Sequence, residues 1–163
     1  MDAFWLGFRL LLLLTVANGV PILLKRILGN RWSAPIDAGR HFVDGRPWLG
    51  PSKTWRGLVA AVAASAVIAP ALGFSVHVGA LFGLLAMAGD ALSSFVKRRL
   101  GVDSSGQSFG IDQVPESLLP LLGLQAALGL PWTVVAGVAV AFLVLETPVA
   151  WLFHRLGLRD RPY

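Results

Sequence analysis

Long apolar runs separated by short polar segments set the rhythm of this chain. A helix needs about 20 apolar residues to cross the hydrocarbon core of a bilayer. Three runs meet that length: Phe4 to Leu24, Leu58 to Ser75 and Val76 to Val96. A fourth tract, Ser117 to Phe153, is broken by Pro120 and Pro131. It falls short of the ~40 residues that two perpendicular spans need. It therefore reads either as one long span with a re-entrant piece or as a tight hairpin turning near Pro131. The first run opens on Asp2 rather than on basic residues and offers no small-residue cleavage site, so it reads as a retained span. The predicted fold class is all-α integral membrane. One domain covers residues 1–163, with polar segments at about 25–57 and 97–116.

Composition supports the membrane reading: 55% of residues are hydrophobic and only 14% charged, against about 25% in soluble domains. The chain has no cysteine, which excludes disulfides, thiolate metal sites and a cysteine nucleophile. The net charge of +5 suits anionic lipid, a phosphorylated substrate or nucleic acid, so the distribution of charge decides. Every basic residue except Arg9 falls in three clusters: residues 25–56, the run Lys97, Arg98 and Arg99, and the tail with Arg155, Arg159 and Arg161. Lys and Arg collect on the cytoplasmic side of short loops. Five transmembrane helices, with the N-terminus outside and the C-terminus inside, put all three clusters there. The expected location is the cytoplasmic (inner) membrane, with the active site facing the cytoplasm and membrane lipids rather than nucleic acid as surroundings.

The first polar segment contains "APIDAGRHFVDGRPWLGPSKTWRG". Here Asp37, Asp44, Arg40, Arg46, Lys53 and Arg56 sit among Gly39, Gly45, Gly50 and Gly57, so backbone amides can approach an anion that the cations neutralise. Lys25, Arg26 and Arg31 at a helix end are explained by topology alone. Ser52, Lys53, Thr54 and Arg56 are not, because topology needs charge but not hydroxyls and glycines just before a helix start, where free N–H groups attract phosphate. The stretch lacks the glycine before lysine of the pattern GxxxxGK[ST], so a P-loop ATPase is not indicated.

In "LLAMAGDALSSFVKRRLG", Asp90 is a carboxylate inside a span, a functional-site hypothesis by default. Helical spacing places Asp90, Ser93, Ser94 and Lys97 on one face. The alternative is a structural ion pair between Asp90 and a nearby cation. The second polar segment adds Asp103, Asp112 and Glu116. Asp90 and Asp112 can together hold Mg²⁺, which takes one or two carboxylates plus substrate phosphate oxygens. Glu116 is equally well read as a helix cap, and Asp103 as a turn residue. Asn18, near Pro21, either satisfies freed backbone groups or reaches the site. Glu146 is either an interhelical hydrogen-bonding group or a further acid. His41, His77 and His154 lack metal-ligand spacing, and no GxSxG elbow is present.

Taken together, "PIDAGRHFVDGRPWLGPSKTWRG", "GDALSSFVKRRLG" and "GIDQVPESLLP" resemble the CDP-archaeol synthase family of membrane cytidylyltransferases, related to the CDP-diacylglycerol synthases. The "DQVPES" form is similar to that of bacterial members, whose lipid substrate need not be archaeal. The resemblance implies transfer of a cytidylyl group from CTP to a lipid phosphate, yielding a CDP-lipid and pyrophosphate, with Mg²⁺ required. It implies that Asp90 and Asp112 hold the metal. Ser52, Lys53, Thr54 and Arg56, helped by Lys97 and Arg98, bind the nucleotide phosphates, and Asp37, Gly39 and Asp44 shape the nucleotide pocket. Lys53 and Lys97 stabilise the departing pyrophosphate. Glu116, Asn18 and Ser94 are secondary candidates. Two rival readings remain: a transporter or binding protein for a phosphorylated anionic solute, which would want polar residues along several spans and a repeat, and a noncatalytic scaffold, which leaves Asp90 unexplained. Oligomeric state, one metal or two, and the identity of the lipid are not legible.

Overall fold

The computed structural model describes residues 2–102 and 110–155. Asp103, Arg159 and Arg161 lie outside the described residues, as does the side chain of Glu146. Among the described residues the architecture is all helical, with only two isolated bridges, Pro35 to Thr54 and His41 to Pro47. Helix α1 runs Ala3–Leu28, α2 Trp55–Ile68, α3 Val76–Arg99, α4 Gln113–Gly123, α5 Gln125–Leu128 and α6 Trp132–Arg155. A single 3-10 turn, Ala69–Leu72, extends α2. Three of these units are long and apolar enough to cross a membrane: α1, the unit Trp55–Leu72, and α3.

The boundaries follow local chemistry. Thr54 caps α2 by accepting from the Gly57 N–H, one turn earlier than the apolar run suggests. Pro70 at the start of the 3-10 turn cannot continue the α-helical hydrogen-bond ladder. Ser75 then caps α3 by accepting from the Val78 N–H. In the proline-broken tract the chain turns between α5 and α6, where Gly129 takes φ 60° and Pro131 precedes α6. The tract thus folds back near Pro131, with α4 packed against α6. Its first limb is short: α4 and α5 are separated by a break at Leu124, and 11 residues of α4 extend only about 16 Å.

Packing reverses the pattern of a soluble protein. Leu10, Leu13, Leu14 and Ala17 form one buried face of α1, while Phe4, Phe8, Val59, Val67, Leu81, Leu84, Val140 and Val144 are exposed. Ser65, Ser93, Ser94, Lys97, Arg98, Gln113, Glu116 and Ser117 are buried. An apolar exterior around a polar interior is what lipid as solvent selects. Helix α3 is the hub, packing against α1, α2 and α4. Small residues permit this. A Cβ on Gly79 would sit 2.4 Å from the Ala69 Cβ and the Ser65 carbonyl oxygen, and one on Gly83 would sit 2.8 Å from the Ala61 carbonyl oxygen. This close approach of backbones is the characteristic membrane-helix interface. At the N-terminal end of α1, Phe4, Gly7 and Phe8 face Val134, Gly137 and Val138 of α6 across an apolar groove of about 400 Å³.

Candidate active site

Residues 29–54 join α1 to α2 as an ordered loop, and Asp37 is its organiser. One carboxylate oxygen accepts from the Gly39 N–H at 3.0 Å. The other accepts from the Leu49 and Gly50 N–H groups at 3.0 and 2.9 Å. Burial alone would raise the Asp37 pKa, but the donors from Gly50, Leu49 and Gly39 outweigh it and hold the group below its ordinary 3.8. The turn uses left-handed backbone, with φ 50° at Ala38 and 73° at Gly39. Beyond it, the Ile36 N–H donates to the Lys53 carbonyl at 2.8 Å and the Trp55 N–H to the Ala34 carbonyl at 3.1 Å. The Lys53 backbone is thereby fixed immediately before the N-terminus of α2.

That placement sends the Lys53 ammonium into the bundle. It donates to both carboxylate oxygens of Asp90 at 2.6 Å. One turn pair along α3 the arrangement is repeated, with Lys97 paired to Asp112 at 2.6 Å. The two pairs share a field. Burial opposes charge on Lys53, but the carboxylates of Asp90, Glu116 and Asp112 favour it, and its pKa stands above the ordinary 10.5. Glu116 lies within hydrogen-bonding reach of Asp90 because α3 and α4 touch at Gly89. A Cβ there would meet the Pro115 carbonyl oxygen at 2.2 Å and the Glu116 Cα at 2.8 Å. The first turn of α4 thus lies directly on the backbone beside Asp90. A small cleft of about 60 Å³ opens on the other side of Asp90, lined by Pro21 of α1, Ile36, Ser52, Lys53 and Thr54 of the loop, Gly57 and Leu58 of α2, and Met87, Asp90 and Ala91 of α3.

The sequence candidates separate into two groups. Ser52, Lys53, Thr54, Asp90, Ser94, Lys97, Arg98, Asp112 and Glu116 belong to the cleft or to the buried polar stripe of α3 and α4 beside it. Ser93 donates to the Gly89 and Asp90 carbonyls, which ties its hydroxyl to its own helix. Asp37, Gly39, Asp44 and Arg56 instead build the loop. Arg56 donates to the Gly29 carbonyl at 2.9 Å and to the Arg31 carbonyl. Asp44 accepts from the Arg46 N–H at 3.0 Å and pairs with Arg99 at 2.5 Å. Asn18 donates to the Leu14 carbonyl at 3.1 Å, so it serves its own helix. Sequence reading passed over Arg99, Gly89 and the cleft wall of Pro21 and Met87. Gly89 and Arg99 lie within the quoted stretch "GDALSSFVKRRLG", but their roles come from contacts between elements.

Among the described residues no three acids or histidines are gathered closely enough to hold a metal by themselves. Two carboxylates suffice, however, for a hard cation that completes its shell with substrate phosphate oxygens and water. Asp90 and Asp112, in one cluster with two lysines, have the donor chemistry for that role. The arrangement as a whole can receive a polyanion: ammonium groups and helix N-terminal N–H groups to neutralise it, and carboxylates to share its counter-cation.

Comparison with known proteins gives a consistent result. Residues 9–163 match the family described as CarS-like: CDP-archaeol synthase. A CDP-archaeol synthase of Hyperthermus butylicus is 41% identical over 149 residues, covering 86% of this chain and 80% of that protein. One of Aeropyrum pernix is 36% identical over 157 residues, covering 91% and 86%. A solved structure described as an intramembrane enzyme for archaeal membrane lipids biosynthesis superposes with a TM-score of 0.67 at 31% identity, covering 85% of this chain and 90% of that one.

Proposed function

The chain belongs to the CarS-like CDP-archaeol synthase family, and from that premise we propose that it transfers a cytidylyl group from CTP to a membrane lipid phosphate, releasing pyrophosphate. The observation that carries the reading at the level of chemistry is the pair of lysine–carboxylate contacts, Lys53 with Asp90 and Lys97 with Asp112, each at 2.6 Å. A phosphate oxygen of the lipid attacks the α-phosphorus of CTP. The bond from that phosphorus to the oxygen bridging to the β-phosphate breaks, and pyrophosphate leaves with the electron pair. The barrier is chiefly electrostatic, since two polyanions must meet in line. Lys53 and Lys97 donate to phosphate oxygens and stabilise the charge on the departing pyrophosphate, with Arg98 adding positive potential. Ser52 and Thr54, at the cleft wall and the start of α2, orient the same phosphates. The lipid phosphate is already anionic at neutral pH, so no general base is needed. Asp90 and Asp112 would hold Mg²⁺, which when bound supplies charge neutralisation at the phosphate oxygens. Asp37, Gly39 and Asp44 shape the nucleotide pocket through the loop, and Arg56 holds the loop to the end of α1.

The same reading includes five crossings, with α4 and α5 together forming the short fourth, the N-terminus outside and the cleft facing the cytoplasm. All three basic clusters then fall on the cytoplasmic side, as the charge rule requires.

The test is purified protein with radiolabelled CTP, Mg²⁺ and a panel of lipid phosphates. Because the relatives are named for archaeol, an ether-linked isoprenoid phosphate heads the panel and an ester-linked acyl phosphate follows. Wild type forms a labelled CDP-lipid. Lys53→Ala and Asp90→Asn each lose roughly 100-fold or more, the scale of removing one transition-state electrostatic contact, while still inserting into membranes. Full activity in either variant would remove the site. Flux of a phosphorylated solute through liposomes without CTP turnover would favour a transporter.

A further inference from the structure

The cytoplasmic loop and the end of α3 are joined by two arginines that reach in opposite directions. Arg99, the last residue of α3, sends one guanidinium nitrogen to the Asp44 carboxylate at 2.5 Å. Its other terminal nitrogen reaches the carbonyls of Arg46 at 3.3 Å and Pro47 at 2.6 Å. The same guanidinium lies 4.7 Å from the Phe42 ring centroid and 5.1 Å from that of Phe95. In return, Arg46 of the loop donates to the carbonyls of Arg98 and Arg99 at 3.2 and 2.6 Å. It thereby caps the negative end of α3 with a cation. Gly101, at φ 78°, gives the Arg46 guanidinium its space, since a Cβ there would lie 3.3 Å from it. Trp48 closes the assembly, with its ring centroid 5.6 Å from that of Phe42.

We propose that this reciprocal latch makes Arg99 a positioning residue, which holds the loop segment Phe42 to Trp48 on the end of α3 so that Lys53 and Lys97 converge on one nucleotide triphosphate. The inference rests on the reading of the site as a CTP site. Two short, stiff paths lead outward from Arg99. One runs back two residues along α3 to Lys97. The other runs through the latched loop to Leu49 and Gly50, whose N–H groups are held by Asp37, and three residues later reaches Lys53. Without the latch each lysine keeps its own carboxylate partner and the Lys53 backbone its bond to Ile36, but the segment Phe42 to Trp48 is no longer tied to α3, and the separation of the two ammonium groups is less tightly set. A guanidinium is needed because it serves a carboxylate, two carbonyls and two aromatic faces at once, which an ammonium does not.

The experiment compares wild type, Arg99→Ala, Arg99→Lys and Asp44→Asn in lipid nanodiscs, measuring steady-state CTP turnover and equilibrium binding of CTP with Mg²⁺. Arg99→Ala raises KM and Kd for CTP about tenfold, the scale of one charge-assisted hydrogen bond, with a smaller change in kcat and none in KM for the lipid phosphate. Arg99→Lys falls between Arg99→Ala and wild type. Asp44→Asn keeps the acceptor for the Arg46 N–H and shifts KM by only about threefold, a partial loss of the pair. A purely structural role would lower the yield of folded protein and leave KM and Kd of the surviving fraction at wild-type values. That result overturns the proposal. If Arg99→Ala does not fold, Arg99→Lys and Asp44→Asn decide on the same criterion. Wild type that binds CTP but forms no CDP-lipid defeats the reaction reading, and the Kd series still judges the latch. Wild type that binds no CTP defeats both.

Discussion

Asp37 and Lys53 show how little of a side chain's work is visible in its letter. Both belong to one polar segment and both were candidates for nucleotide contact. Asp37 spends its carboxylate on three backbone N–H groups, while Lys53 spends its ammonium on Asp90. The electrostatics give each a pH window. Asp37 is depressed in the fold, so its contribution to loop stability is complete above the unfolded value near 3.8 and is lost as pH falls through the lower folded value. Lys53 is raised; its contribution is complete below about 10.5 and is lost as pH rises through the higher folded value. Replacing Asp37 by Asn removes the charge and one acceptor. Hydrogen exchange at the Leu49 and Gly50 amides then speeds up roughly tenfold at neutral pH, as loss of a charge-assisted bond predicts. Unchanged exchange would show that the loop is held by something else. Asp90 stood out in the sequence because charge inside an apolar run is costly and needs a reason, whereas Lys53, Lys97 and Asp112 lie in polar segments, where charge alone singles out nothing. Which of them face a substrate and which face the chain was not legible, because both tasks use the same functional groups.

Among elements, α3 sets the site. Its glycines let α2 and α4 approach, and at Gly89 that approach brings Pro115 and Glu116 onto the backbone next to Asp90. Gly89→Ala forces a methyl group into the Pro115 carbonyl. The overpacking costs about 1–3 kcal/mol and pushes α4 away, carrying Asp112 and Glu116 with it. The expected result is a loss of CDP-lipid formation of tenfold or more, with a Tm drop of a few degrees by the usual conversion of such energies. By contrast, Gly137→Ala on α6, where a Cβ meets nothing within 4 Å, leaves both unchanged. A Gly89→Ala variant with full activity would mean that the contact between α3 and α4 does not set the site. Helix existence was readable from the apolar runs, but the run Leu58 to Ser75 hid both ends of α2, the cap at Thr54 and the stop before Pro70. The break at Leu124 was not read, although Gly123 precedes it; a Cβ on Gly123 would lie 2.7 Å from the Leu85 side chain, a contact between elements that the sequence does not show.

For the molecule as a whole, the helices alternate in direction, and the loop, the end of α3 and the start of α4 gather at one end. The loop and the end of α3 are tied together there by Arg99 and Asp44, which pair at 2.5 Å. The number of crossings was less legible, since α4 and α5 are short and meet at a break at Leu124. The absence of cysteine makes the topology directly measurable. Single cysteines at Val43 and Gly110 should react with an impermeant maleimide only from the cytoplasmic side, and one at Gly129 only from outside. A Gly129 label from the cytoplasmic side would reduce the count of crossings. The latch also imposes an order of biogenesis. Asp44 and Arg99 are separated by 55 positions, so in a chain made from its N-terminus the loop precedes its partner, and the latch can close only once the whole of α3 has been synthesised.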